Sequence, residues 1–213
     1  MRKAAISFGT RECDAATAIV QAQLSGTDGI MGAYPAIWPL IPSHERASAC
    51  HLSWADRRYA LGDAVNIELA GCYRRHHAPL ARTLVLGKPA KRLLDLGQAI
   101  AEVQNEALAA VRPAMTCADV EAIWSGVLRR HGYDKDSRLG YAVGLGYPPD
   151  WAELTASFRP GDTTVLEPNM TFHMLGGVWL EGYGLEISET FVVPDRGADV
   201  LTDFERSLIV KDA

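Results

Sequence analysis

Glu68 is the first residue from which chemistry can be argued. It lies in Leu61 to Thr83, LGDAVNIELAGCYRRHHAPLART, where a tight Leu61-Gly62-Asp63 turn feeds an alternating segment. Val65, Ile67 and Leu69 share one face of such a strand, so Asn66 and Glu68 project from the other. A carboxylate on the inward side of a central strand is costly to bury unless something binds or pairs with it. On a half-exposed strand the same residue simply points at water. The strand by itself leaves both readings open.

A second acid, Glu186, shares a face with Ser188 and Thr190 in the segment ending at Val193. Leu185, Ile187, Glu189, Phe191 and Val193 take the opposite face, where Glu189 reads as salt-bridged to a surface group. His51 stands in the polar loop SACHLSWADRRYAL, and imidazole is the side chain best suited to proton transfer near neutral pH. His173 falls on a strand opening at Thr171, as either a site group or a hydrogen-bonded core histidine. His76 and His77 are adjacent, so on an extended chain they diverge and do not share one ligand. Tyr141, Tyr147, Trp151 and Trp179 offer ring faces to a cation, although Tyr147 and Trp151, beside Pro148-Pro149, also suit plain packing.

The elements that must position these groups are legible in part. Thr10 to Leu24 reads as a helix with Thr10 as N-cap and Glu12 and Asp14 in the first turn. Tyr34 to Pro42 is apolar but carries Pro35, Pro39 and Pro42, which restricts it to an edge strand or extended segment. RRHHAP marks a turn, and Leu80 to Leu86 returns as a strand. Lys88 to Val111 has the longest helical pattern, ended by Pro113. Thr116 and Asp119 open another helix in the manner of a capping box, which runs to His131-Gly132. From Gly140 the chain turns to strand and loop, with strands over Thr171 to Met174 and Leu185 to Val193.

LGDAVNIE and PNMTFHML align without gaps, and both helix openings at Thr10 and Thr116 are closely followed by Cys and Asp. This weak duplication predicts two α/β halves about a shared central site, within one domain spanning 1–213. A net charge of −5 and no cluster of more than two neighbouring Lys or Arg argue against nucleic acid. No apolar run approaches the roughly 20 residues of a membrane helix, and no signal peptide opens the chain. Cys13, Cys50, Cys72 and Cys117 are scattered, as in a reduced, cytoplasmic protein.

The ordered series formed by His51, LGDAVNIE, LART, GYAVGLG, LEPNMTF and EISETFVV resembles the catalytic domain of the pita-bread family, the M24 peptidases and creatinases. The resemblance implies an α/β fold of two pseudo-twofold-related halves with antiparallel sheet around a central site. The peptidase branch binds two metal ions with five ligands, and the matching positions here hold Glu68, Pro79, Tyr141, Leu175 and Ser188. One carboxylate among five does not suit a dinuclear Mn or Co centre, so no metal and no cofactor are expected. Creatinases hydrolyse without metal, with a histidine at the position of His51, but their return-strand carboxylate falls at Ala81.

The combination ACHLSW, AGCYRR, GLGYPPDW and EISETF is closest to the ectoine hydrolase branch. That implies a small-molecule substrate, a cyclic amidine opened by hydrolysis, with Xaa-Pro dipeptidase or a non-catalytic relative as the alternatives. By the resemblance, Glu68, His173 and Glu186 face the pocket. Glu68 is expected against the amidinium as anchor or nucleophile, His51 as acid and base, and Glu186 on a ring N–H or a water. Tyr141, Tyr147, Trp151 and Trp179 would be the aromatic walls. Such enzymes are homodimers with a separate N-terminal domain. This chain starts near the first helix of the catalytic domain, so weak activity by itself is expected.

Overall fold

In the computed structural model, which describes residues 5–212, the stretch around Glu68 becomes β1 (Ala64–Tyr73) and folds back as β2 (His76–Leu86). Their antiparallel register sets Asn66 opposite Thr83 and Glu68 opposite Ala81. The turn is only Arg74-Arg75, both at positive φ of 47° and 69°, which matches the twist of a two-residue hairpin but strains residues bearing a Cβ. Arg75 offsets that strain through its guanidinium, which donates to the carbonyls of Gly146 and Tyr34 and lies between the Tyr34 and Tyr147 rings. The strand therefore begins at His76, earlier than the turn-like RRHHAP suggests.

A second hairpin, β5 (Thr171–Leu180) and β6 (Tyr183–Val192), sets His173 opposite Thr190 and Leu175 opposite Ser188. The two hairpins meet where β2 pairs with β6 at Arg82 and Ile187. Strand β3 (Gly140–Tyr147) joins β5, with Tyr141 opposite His173. A side chain at Gly140 would place its Cβ 2.3 Å from the His173 carbonyl oxygen, so glycine is what lets these strands approach. Strand β4 (Asp150–Phe158), missed in the sequence, pairs with β3 through register shifts after a cis Pro148–Pro149 bond. Its polar Glu153-Leu154-Thr155 centre breaks the simple alternation that marks a strand. The short β7 (Asp199–Val200) and β8 (Ile209–Lys211) complete the sheet.

Helices cover one side of this sheet. α2 (Lys91–Ala110) and α3 (Cys117–Arg130) bury Leu96, Ile100, Val103, Trp124 and Leu128 against Phe172, Ile187 and Phe191 of the second hairpin. Phe158 stacks on Phe172 with ring centroids 4.7 Å apart, and truncating such a buried ring typically costs about 3–5 kcal/mol. α1 (Glu12–Ser25) lays Ala15, Ala16 and Ile19 beside Val65, Ile67, Leu84 and Leu86 of the first hairpin. The capping box on α3 forms as expected from Thr116 and Asp119. Thr10 does not cap α1. Its carbonyl accepts from Tyr59 N–H, and the helix starts after Arg11, whose guanidinium binds Asp14. The proline-rich segment runs along the edge of β1, with Leu40 bridged to Glu68 and Ser43 to Val65.

Candidate active site

Alternation delivers a polar set to the sheet face opposite the helices. β1 contributes Asn66 and Glu68, β2 Thr83, β3 Tyr141, β5 His173, and β6 Glu186, Ser188 and Thr190; all are 5% exposed or less. These side chains stitch the hairpins together where the backbone ladder between β2 and β6 is short. Thr83 Oγ1 donates to Asn66 Oδ1 at 2.7 Å and accepts from Glu186 N–H at 2.8 Å. Thr190 Oγ1 donates to the Pro79 carbonyl, and Ala81 N–H donates to Ser188 Oγ. Ser188 Oγ lies 2.7 Å from His173 Nε2, and His173 Nδ1 lies 3.1 Å from the Tyr141 hydroxyl, which also accepts from Trp151 Nε1.

Two acids on this face are not satisfied in the same way. Glu186 Oε1 accepts from Trp179 Nε1 at 3.2 Å, but Glu186 Oε2 and Glu68 Oε1 have no hydrogen-bond partner among the described residues. Burial drives the Glu68 carboxyl well above its ordinary range, and the charge of Glu186 drives it further. Burial likewise pushes Glu186 up to about 7, against the opposing pull of Trp179 and Lys135. Two interacting buried carboxyls titrate as a pair, and here each is held above its ordinary range.

Beside them a cavity of about 180 Å³ is lined by His51, Lys135, Arg138, Tyr141, Leu175 and Trp179, among others. Grooves of about 540 Å³ exist at Arg112 and at Asn105, but no buried acid or imidazole converges there. His51 is on the rim, exposed and at a positive φ of 59°. Partial burial lowers its pKa, Asp150 raises it, and Arg138 and Lys135 lower it. His173 is sealed beneath, its pKa pushed down to about 3 by burial, so its ring is neutral at working pH.

The structure thus brings together His51, Glu68, Glu186, His173, Tyr141 and Trp179, and places the other two aromatic candidates elsewhere. Tyr147 is 62% exposed and stacks on Arg75 at the hairpin turn, away from the cavity. Trp151 is buried behind Tyr141, where its indole N–H holds the phenol. His77 is structural: its Nε2 accepts from Ala36 N–H and its Nδ1 faces the Arg75 carbonyl.

Lys135 and Arg138 are site residues that the sequence alone did not single out. Lys135 donates to Gly177 O and Ser137 Oγ, lies 4.5 Å over the Trp179 ring, and is pushed down to about 8 by burial. Arg138 lies 4.3 Å over the Tyr141 ring with no ion-pair partner among the described residues. Their only signal is two cations just before Gly140, which reads as an ordinary solvated loop. Among the described residues no three or more His, Cys, Asp or Glu side chains group as a metal would require.

Comparison with known proteins supplies relatives. The model of metallopeptidase family M24 matches residues 1–195. The chain is 43% identical over 204 residues to the uncharacterized hydrolase/peptidase y4tM of Sinorhizobium fredii, covering 96% of this chain and 52% of that protein. It is 41% identical over 181 residues to the ectoine hydrolase of Halomonas elongata, covering 84% and 45%. Among solved structures, the prolidase from Pyrococcus furiosus superposes with a TM-score of 0.83 at 26% identity, covering 94% of this chain and 58% of that one. The chain spans about half the length of the curated relatives it matches.

Proposed function

The chain belongs to metallopeptidase family M24 and has its pita-bread fold, and from that premise we propose that it opens a small cyclic amidine by metal-independent hydrolysis, as an ectoine hydrolase-like enzyme. The observation that carries this reading is the neighbouring pair Glu68 and Glu186, each with a buried oxygen that nothing in the described protein satisfies. An amidinium supplies what the pair lacks: a delocalised positive charge and N–H donors for charge-assisted hydrogen bonds. The 41% identity to a protein named ectoine hydrolase supports the same substrate class.

The family name implies metal, and the donors present do not fit one. The five positions matched to the family's ligands hold Glu68, Pro79, Tyr141, Leu175 and Ser188. Glu186 adds a second acid nearby, but His173, the buried imidazole, has both ring nitrogens engaged by Tyr141 and Ser188. Hard divalent ions take several oxygen or imidazole ligands at once, and no step below uses one.

In this reading the amidine carbon sits against Glu68, which serves as anchor or as nucleophile. Water adds its oxygen to that carbon, one ring C–N bond breaks, and the protons end on the departing amine, leaving an N-acetylated diaminobutyrate. His51 at the rim moves the proton, and Glu186 holds a ring N–H or the water. Trp179 and Tyr141 are the aromatic walls. The substrate is a small zwitterion, the partner a second copy of the chain, and the compartment the cytoplasm. A metal-dependent Xaa-Pro dipeptidase is the second reading, favoured by the prolidase likeness.

The deciding experiment incubates purified, EDTA-dialysed protein with ectoine and follows the acetyl methyl resonance by NMR. Ring opening without added metal is expected. No ectoine turnover, together with cleavage of Gly-Pro that needs near-stoichiometric bound metal, would replace this reading with the peptidase one.

A further inference from the structure

As a wall, Tyr141 uses only its ring; its hydroxyl has a separate role written into the hydrogen bonds behind it. Three groups stand in line: Ser188 Oγ, the His173 imidazole, and the Tyr141 hydroxyl, at 2.7 Å and 3.1 Å. A neutral imidazole has one N–H and one acceptor nitrogen, so the line has one of two polarities. Ser188 Oγ already accepts from Ala81 N–H, and Tyr141 Oη already accepts from Trp151 Nε1–H.

If His173 carried its proton on Nε2, it would donate to Ser188, and Tyr141 would donate to Nδ1. The Ser188 proton would then have no acceptor, in a residue 0% exposed and outside the cavity lining. If His173 carries its proton on Nδ1, Ser188 donates to Nε2 and His173 donates to Tyr141. The one proton left over is then the phenol's, and Tyr141 lines the cavity. Leaving a buried donor unmet is what folded proteins avoid, so the second polarity is selected. Tyr141 then accepts from two donors, Trp151 and His173, and its own O–H is the one donor left without a partner among the described residues, on a residue that lines the cavity. Burial pushes that phenol up and keeps it protonated, which a donor requires.

We propose that Tyr141 is a catalytic hydrogen-bond donor, directed at the substrate atoms that gain electron density when the amidine carbon is attacked, with Ser188 and His173 as positioning residues that fix the direction of its O–H. This rests on the hydrolase reading above. The phenol keeps its proton throughout; it stabilises developing charge, as preorganised donors do in closed sites. The backbone N–H of Ala81 starts the line, so the orientation is built into the β2–β6 junction.

Two measurements test it. In protein labelled with ¹⁵N-histidine, with the His173 signals assigned by their loss in His173→Gln, the ring nitrogens should report the neutral Nδ1–H tautomer. An Nε2–H tautomer overturns the proposal, and this outcome does not depend on turnover. With ectoine as substrate, Tyr141→Phe should lower kcat by about 10²-fold or more with KM changed by less than about threefold. Ser188→Ala should lower kcat in the same direction, and adding it to Tyr141→Phe should cost little more, as expected for residues acting as one unit. Ser188→Thr, which keeps a hydroxyl, should recover most of the loss. Near-parental kcat in Tyr141→Phe overturns the donor role by itself. Failure of the parental protein to open ectoine removes the hydrolase reading and leaves the tautomer measurement to decide the polarity.

Discussion

Strand β6 carries two buried glutamates three residues apart, Glu186 on one face and Glu189 on the other, and they live in opposite electrostatic worlds. Glu189 is fully buried and bonded to Arg82 at 2.5 Å, to the Thr202 hydroxyl, and lies 3.5 Å from Arg206. Arg82 in turn donates to the carbonyls of Ser188, Phe204 and Glu205, so the ion pair ties the C-terminal segment to the back of the sheet. Glu186 meets a tryptophan N–H, a lysine at a distance and another acid, and keeps an unmet oxygen. Glu12 and Glu68 repeat the contrast: Glu12 is met by Ser43, Arg46 and Ala55 N–H, whereas Glu68 is not. The lesson is that burial by itself does not mark function. A buried acid whose partners are complete is part of the scaffold; one that keeps an unmet oxygen is not explained by the scaffold and is a candidate for ligand binding.

The largest expected effect is on turnover: Glu68→Gln should lower kcat with ectoine by on the order of 10³-fold or more, with thermal stability unchanged or raised, because the amide keeps the shape of the carboxyl without the cost of burying a charge. Near-parental turnover would put Glu68 with the scaffold acids. Next comes Glu189→Ala, which leaves Arg82 buried and unpaired and should cost about 3–5 kcal/mol in urea unfolding, with turnover per folded molecule much less affected than in Glu68→Gln. A cost below about 1 kcal/mol would remove the scaffold role.

A smaller effect lies in pH. Because the folded-state pKa of Glu186 is raised from 4.5 to about 7, the folded protein binds more protons than the unfolded chain between those values. The contribution of this site to stability is therefore greatest at low pH and declines as pH rises through that window. Urea midpoints of Glu186→Gln should show a smaller decline, the remainder belonging to Glu68, and an unchanged slope would contradict the assignment. The smallest effect belongs to an acid in neither class: Asp95, paired with Lys91 on the solvent side of α2, should give no measurable change in Tm when replaced by alanine, as exposed pairs generally do.

Much of the site is legible in the chain because a strand's period is fixed. Once Val65 and Ile67 are read as core, Glu68 must face the other way, and the same parity assigns Glu186 and Ser188 to the face opposite Leu185 and Ile187. That arithmetic also puts Glu189 on the apolar side, but it says nothing of Arg82 waiting there, so a buried ion pair reads as a surface one. The Thr116 cap is legible for the same local reason, while Thr10 fails as a cap because a distant segment, at Tyr59, claims its carbonyl.

What the sequence by itself determined, then, is which side of its strand each of these residues occupies and where α3 begins, since these follow from backbone geometry over a few residues. Tertiary structure alone decided that Lys135 and Arg138 reach the cavity, that Tyr147 leaves it for Arg75, and that Trp151 stands behind Tyr141. Those outcomes depend on how hairpins and loops far apart in the chain pack, and on burial that changes the cost of a charge. Neither quantity is written in any single segment.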